Sequence, residues 1–83
     1  MTAINIISKD LKILVFRSNI ATFQSAELVR KKLLQMDDVF KVNIDFSDPE
    51  NVLRVECCPG CPPERIERQV VELRYNCTEF THY

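Results

Sequence analysis

Two adjacent segments of alternating hydrophobicity, separated by a short turn, constrain this chain more than any other feature. In Val39 to Phe46 (VFKVNIDF), Phe40, Val42, Ile44 and Phe46 share one parity, and Lys41, Asn43 and Asp45 the other. A period of two with one polar face describes a half-buried β-strand. Val52 to Cys57 (VLRVEC) repeats the pattern, with Leu53, Val55 and Cys57 inward and Arg54 and Glu56 outward. Between them lies Ser47 to Asn51 (SDPEN), where Pro49 fixes φ and Asp48 offers a side-chain acceptor. The two strands are therefore expected to form a hairpin.

A helical period flanks that hairpin on each side. Ala26, Val29, Leu33 and Met36 recur at steps of three and four, away from Glu27, Arg30 and Lys31. Thr22 can cap this helix through its hydroxyl, and Asp37 and Asp38 end it. After the hairpin, Pro59, Pro62 and Pro63 punctuate the chain. Proline is tolerated in a first helical turn, so a second helix is expected from about Pro63, with Ile66, Val70 and Leu73 as its apolar stripe. Strand-forming runs close the pattern at either end, Leu11 to Arg17 (LKILVFR) and Cys77 to Tyr83 (CTEFTHY).

Strand, helix, hairpin, helix, strand is the order of the α+β, ferredoxin-like βαββαβ fold. It implies a four-stranded antiparallel sheet of order 4-1-3-2 with both helices on one face. Leu53 and Val55 are then expected to pack with Phe40, Val42 and Ile44 beneath the helices, and Phe16, Phe46 and Phe80 to join the core. Lys41, Asn43, Asp45, Arg54 and Glu56 would make the other face polar. Residues 11–83 read as a single domain. Residues 1–10 read as an N-terminal extension whose Ile4, Ile6 and Ile7 would lie against the domain or a neighbouring subunit.

Charge narrows the function classes. Eleven basic residues against twelve acidic ones leave a net charge of −1, without the basic footprint of a nucleic-acid binder or of a protein held on an anionic membrane. The third strand, VLRVEC, lacks the aromatics on which RNA-recognition motifs of this topology stack bases. No apolar run approaches the roughly 20 residues of a membrane span. Lys9, Asp10, Lys12 and Arg17 interrupt any signal-peptide core, so a cytoplasmic location with reduced thiols is expected. No catalytic constellation stands out, and the chain is read as a non-enzyme.

The stretch LVFRSNI, a helix, VNIDFSDPENVLRVE, and a helix leading into LRYNCTEF together resemble the heavy-metal-associated domains of copper chaperones and metal-transporting ATPases. The resemblance runs from about Leu11 to Phe80 and is nearest to a divergent bacterial branch of that family. It implies the same βαββαβ fold. In the family, a C-x-x-C in the first strand–helix loop holds a soft ion such as Cu(I). The corresponding residues here, Ser18 to Ser25 (SNIATFQS), include no Cys, His, Met, Asp or Glu, so those ligands have no counterpart. Arg74 stands where the family usually ends its second helix with glycine, and Cys77 matches a position often held by a small residue or cysteine.

Three of the four cysteines crowd into Cys57-Cys58-Pro59-Gly60-Cys61. Strand parity turns Cys57 to the core, as the matched position does Cys77, and leaves Cys58 and Cys61 in an exposed loop, where one or the other is expected to react readily. The spacing Cys58-x-x-Cys61 lets two thiolates reach one soft or borderline cation, Cu(I) or Zn, with Cys57 or His82 as possible helpers. The topology puts this turn at the pole opposite the first loop. The same motif, between a strand and a helix whose N-terminal amides stabilise a thiolate, also fits dithiol redox chemistry. Three readings therefore stay open: a degenerate heavy-metal-associated domain acting as a binding or regulatory module with a protein partner or as a homo-oligomer, a soft-metal protein with a relocated site, and a small thiol-redox protein.

Overall fold

The computed structural model describes residues 11–80. The N-terminal extension with Ile4, Ile6 and Ile7, and the end of the chain with His82, lie outside the described residues. The elements are β1 (Lys12–Ser18), α1 (Phe23–Leu34), β2 (Val39–Asp45), β3 (Val52–Cys57), α2 (Pro63–Glu72) and β4 (Cys77–Glu79). All strand pairs are antiparallel, in the order β2-β3-β1-β4, which is the expected 4-1-3-2 sheet read from its other edge.

The central strand β1 sets the geometry of both ends of the molecule. Lys12 pairs with Cys57 and Phe16 with Leu53 on one side, and Ser18 pairs with Cys77 on the other. Paired residues share a face of the sheet, so Leu14, Phe16, Leu53, Val55, Cys57 and Cys77 all turn to the helices, where they are buried. Ala26, Val29 and Leu33 of α1 and Ile66 and Val70 of α2 close over them. Six strand steps of about 3.3 Å separate Lys12 from Ser18, placing the two poles about 20 Å apart.

Three aromatic expectations change. Phe40 is 48% exposed because β2 carries a bulge: Val39 pairs with Cys57 and Lys41 with Glu56, leaving Phe40 as the extra residue. Val39 takes the inward place instead, while Val42 and Ile44 pack as expected. Phe46 lies beyond the end of β2 and meets Phe23 edge to face at 5.9 Å, still 37% exposed. Phe80 shares parity with Thr78, the partner of Arg17, and sits on the open face with the Arg17 guanidinium 5.4 Å from its ring.

Helix ends follow their local chemistry. Thr22 caps α1 in a reciprocal box: Ser25 N–H donates to Thr22 Oγ1 at 3.1 Å, and Thr22 N–H to Ser25 Oγ at 3.1 Å. Pro63 opens α2 without wasting a hydrogen bond. At its far end, Tyr75 N–H donates to Val70 O and Arg74 N–H to Val71 O, the paired bonds of a Schellman ending. That ending forces Arg74 to φ 72°, a left-handed conformation glycine adopts freely and a residue with Cβ does not. Arg74 is solvent-exposed, so its replacement removes strain without opening the core. Arg74→Gly is expected to raise stability by about 1 kcal/mol, measured by urea unfolding; Arg74→Ala, which keeps Cβ, should give no such gain.

Candidate functional site

At the Ser18 pole, the first strand–helix loop is tied shut by its own polar groups. Ser18 N–H donates to Glu50 O at 3.0 Å, and Ser18 Oγ donates to Asn51 O at 2.7 Å. The same oxygen accepts from Ile20 N–H at 3.1 Å. Asn19 N–H donates to Asn76 O at 3.2 Å, and Asn19 Oδ1 accepts from Asn76 N–H at 2.8 Å. The loop is thus latched both to the β2–β3 turn and to the segment entering β4. The turn is itself preset: Glu50 N–H donates to Asp48 Oδ1, Asn51 N–H to Asp48 O, and Asn51 takes φ 47°, which asparagine tolerates well.

Thr22 and Ser25 have the two-residue spacing of a C-x-x-C pair, but they carry hydroxyls. Their side-chain oxygens are 2.8 Å apart and already engaged in the helix cap. Hydroxyls and amides are poor donors to soft cations, so this loop does not fit a Cu(I)-type ion. Sequence alone shows the spacing and the missing thiols; the latch was not legible there, because Asn19 and Asn76 are 57 positions apart.

The cysteine turn occupies the other pole. Cys58 N–H donates to Asp38 O at 2.9 Å, and Cys61 N–H donates to Cys58 O at 3.0 Å, closing a β-turn over Pro59 and Gly60. That closure returns Cys61 to the interior. Cys57 and Cys61 are both fully buried, and Cys58 is half-buried. The expectation of an exposed Cys61 is therefore corrected: its turn folds it into the apolar core rather than out to solvent. The Cys61 thiol donates to Pro62 O, at 4.0 Å. Asp38 presents one carboxylate oxygen to Arg65 Nη1 at 2.9 Å, while its buried Oδ1 has no hydrogen-bond partner. Among the described residues, no three or more His, Cys, Asp or Glu side chains are arranged to hold a metal ion. Phe80 N–H donates to Val15 O, so β4 runs toward this pole; His82 lies outside the described residues.

Burial dominates the thiol chemistry. It pushes Cys57 up to about 12, with the neighbouring Cys61 thiol adding to the effect. Burial also raises Cys61, followed by the Asp38 carboxylate. Cys77 is pushed up to about 12 by burial and then by Glu67. The amide donors expected to stabilise a Cys61 thiolate are reduced by Pro62 and Pro63, which have no N–H. Cys61 is consequently no activated nucleophile of the kind dithiol exchange uses. Alkylation of the native protein, mapped by mass spectrometry, should modify Cys58 first and Cys57, Cys61 and Cys77 slowly; a fast Cys61 would contradict the closed turn.

Cys77 also predicts a pH dependence. An unfolded thiol ionises near its ordinary value of 9.0, whereas folded Cys77 keeps its proton to about 12. Between those values the folded state binds more protons, so unfolding free energy falls as pH rises. The contribution is intact below about pH 9 and lost toward pH 12. Urea melts should show this decline, and Cys77→Ala should remove part of it; an unchanged slope in the variant would contradict the assignment.

No protein-family model matches the sequence, and no curated protein matches it. Solved structures do. Oxidized MerP from Ralstonia metallidurans CH34 is 11% identical, covering 83% of this chain and 96% of its own, with a TM-score of 0.72. The N-terminal domain of a potential copper-translocating P-type ATPase from Bacillus subtilis, in the Cu(I)-loaded state, is 17% identical, with 83% and 86% covered and a TM-score of 0.74. The N-terminal domain of ZntA in the Zn(II) form is 14% identical, with 83% and 92% covered and a TM-score of 0.70. At these identities the likeness is one of architecture: the chain has the ferredoxin-like βαββαβ fold of heavy-metal-associated domains.

Proposed function

We propose that this chain is a small, non-enzymatic binding module in which the fold of metal-handling domains is kept and the first-loop metal site is replaced by a hydrogen-bonded latch. The observation that carries this reading is the set of bonds joining Ser18 and Asn19 to Glu50, Asn51 and Asn76. Such a loop is ordered without an ion, and its side chains offer no soft donor. An exposed apolar surface beside it supports a protein partner or a second copy as the ligand: Phe23 is 82% exposed and Leu28 54%. No helix of the described residues is long and apolar enough to cross a membrane.

A second reading, soft-metal binding at the opposite pole, is favoured by the gathering of three thiols in one turn. Its sequence-derived form uses Cys58 and Cys61 for Cu(I) or Zn. Metal analysis after anaerobic purification bears on it directly, since one retained equivalent would support it and none would count against it.

The loop claim has its own test. Cu(I) binding should be the same in the wild type and in Thr22→Ala/Ser25→Ala, whereas Thr22→Cys/Ser25→Cys should gain one additional equivalent. Loss of binding in the alanine variant would overturn the reading.

A further inference from the structure

We propose that two copies of this chain exchange their N-terminal segments, Ala3 to Ile7 of each adding a fifth strand to the edge of β2 in the other. This rests on the binding-module reading above and names its partner as a second copy. Among the described residues β2 is an edge strand, paired to β3 alone. Beyond the bulge at Phe40 that pairing is regular from Lys41 to Asp45, so alternate N–H and C=O groups of these residues project from the sheet edge. Beside the edge runs a groove of about 120 Å³ between α1 and β2, whose apolar lining is Phe23, Ala26, Val42, Ile44 and Phe46. A strand edge next to an apolar groove is the form that receives an extended segment: main-chain bonds join it to the edge, and alternate side chains enter the groove.

The sequence supplies a segment of that form. Ala3-Ile4-Asn5-Ile6-Ile7 is rich in β-branched side chains and matches the regular stretch of β2 in length, with Ile4 and Ile6 in one parity. Antiparallel pairing is the more stable ladder and the one used throughout this sheet. With Ala3 opposite Asp45 and Ile7 opposite Lys41, Ile4 falls against Ile44 and Ile6 against Val42, on the helix side. Asn5 then meets Asn43 on the polar face. Phe23 and Phe46, both exposed in the single chain, stand at the Ile4 end of the groove.

Chain length decides whose edge is used. The chain enters the sheet at Leu11 on β1, and a strand outside β2 lies three strand spacings away, about 14 Å. Lys41 is level with Ile13 through Glu56, two strand steps from Leu11, or about 7 Å along the sheet. Leu11 is therefore about 16 Å from a residue opposite Lys41 of its own copy. The four chain steps from Ile7 to Leu11 span at most about 14 Å even when fully extended. In this register the segment cannot reach its own edge, whereas a second copy imposes no such limit. Reciprocal exchange closes a two-fold dimer.

Light scattering during size-exclusion chromatography of the reduced full chain tests the exchange. The wild type should show twice the chain mass at concentrations where Ile4→Asp/Ile6→Asp and Phe23→Asp show the chain mass, with circular dichroism unchanged in both variants. Phe23 lies on the surface, so its replacement opens no core. An equal mixture of methyl-labelled and amide-labelled chains supplies a second readout that needs no variant. It should give magnetisation transfer between chains, from the Ile4 and Ile6 methyls to the amides of Val42 and Ile44. A wild type that stays monomeric at every concentration, or a dimer unchanged by Ile4→Asp/Ile6→Asp, would overturn the exchange. The binding-module reading would still stand or fall on its own Cu(I) test, which does not depend on assembly. Transfer within one chain instead of between chains would overturn the assignment to a second copy, and a dimer kept in Phe23→Asp would overturn the groove.

Discussion

The antiparallel pairing of β1 with β3 on one side and β4 on the other governs everything else in this protein. Because Lys12 lies against Cys57 and Ser18 against Cys77, one strand separates the two candidate sites by its whole length. The same register aligns Phe16 with Leu53 and Leu14 with Val55, so the residues that fix the strand pairing also supply the core beneath both helices. A one-residue slip of β1 would turn Leu14 and Phe16 out to solvent, away from the face on which Leu53, Val55, Cys57 and Cys77 are buried. The positions of the poles are therefore secured by apolar burial, and their chemistry is free to change.

At the first pole that change is an exchange of one means of ordering a loop for another. A C-x-x-C loop gathers its backbone around an ion; here Ser18 and Asn19 gather it around the carbonyls of Asn51 and Asn76. Each such hydrogen bond contributes only about 1 kcal/mol net, but a loop with five of them needs no ion to hold its shape. The Thr22–Ser25 pair is engaged in the same manner, since its hydroxyls cap α1 instead of facing a ligand. At the second pole, three thiols and a partly unpartnered carboxylate converge where the family resemblance leads one to expect nothing. There the closing bond from Cys61 to Cys58, not the motif spacing, decides which thiols are buried.

What was legible in the sequence follows from the range of the interactions involved. The helices and the hairpin are written as local periodicities, and the Thr22 cap lies three residues from its partner, so all were readable. Strand order came from the succession of elements together with the family resemblance. Phe40 was misplaced because a bulge shifts parity without leaving a mark in the hydrophobic pattern. Cys61 was misplaced for a related reason: its direction depends on a turn anchored by Asp38, 20 or more positions away, rather than on the residues beside it. The latch was invisible because its bonds join segments distant in sequence, some backbone to backbone and the others through ordinary Ser and Asn side chains. A left-handed Arg74, by contrast, was foreshadowed by the resemblance, which flagged a missing glycine at that place.

The most direct test of the central claim is a map of backbone amide chemical shifts during titration of the reduced, uniformly labelled protein with Cu(I). If the first loop is closed by its own hydrogen bonds, the amides of Ser18 to Ser25, and of Asn51 and Asn76 that receive the latch, should not move at any metal concentration that leaves the fold intact. Changes, where they occur, should be confined to the neighbourhood of Cys57 to Cys61. Shifts centred on Asn19 to Thr22 would show an ion entering the loop and would contradict the account.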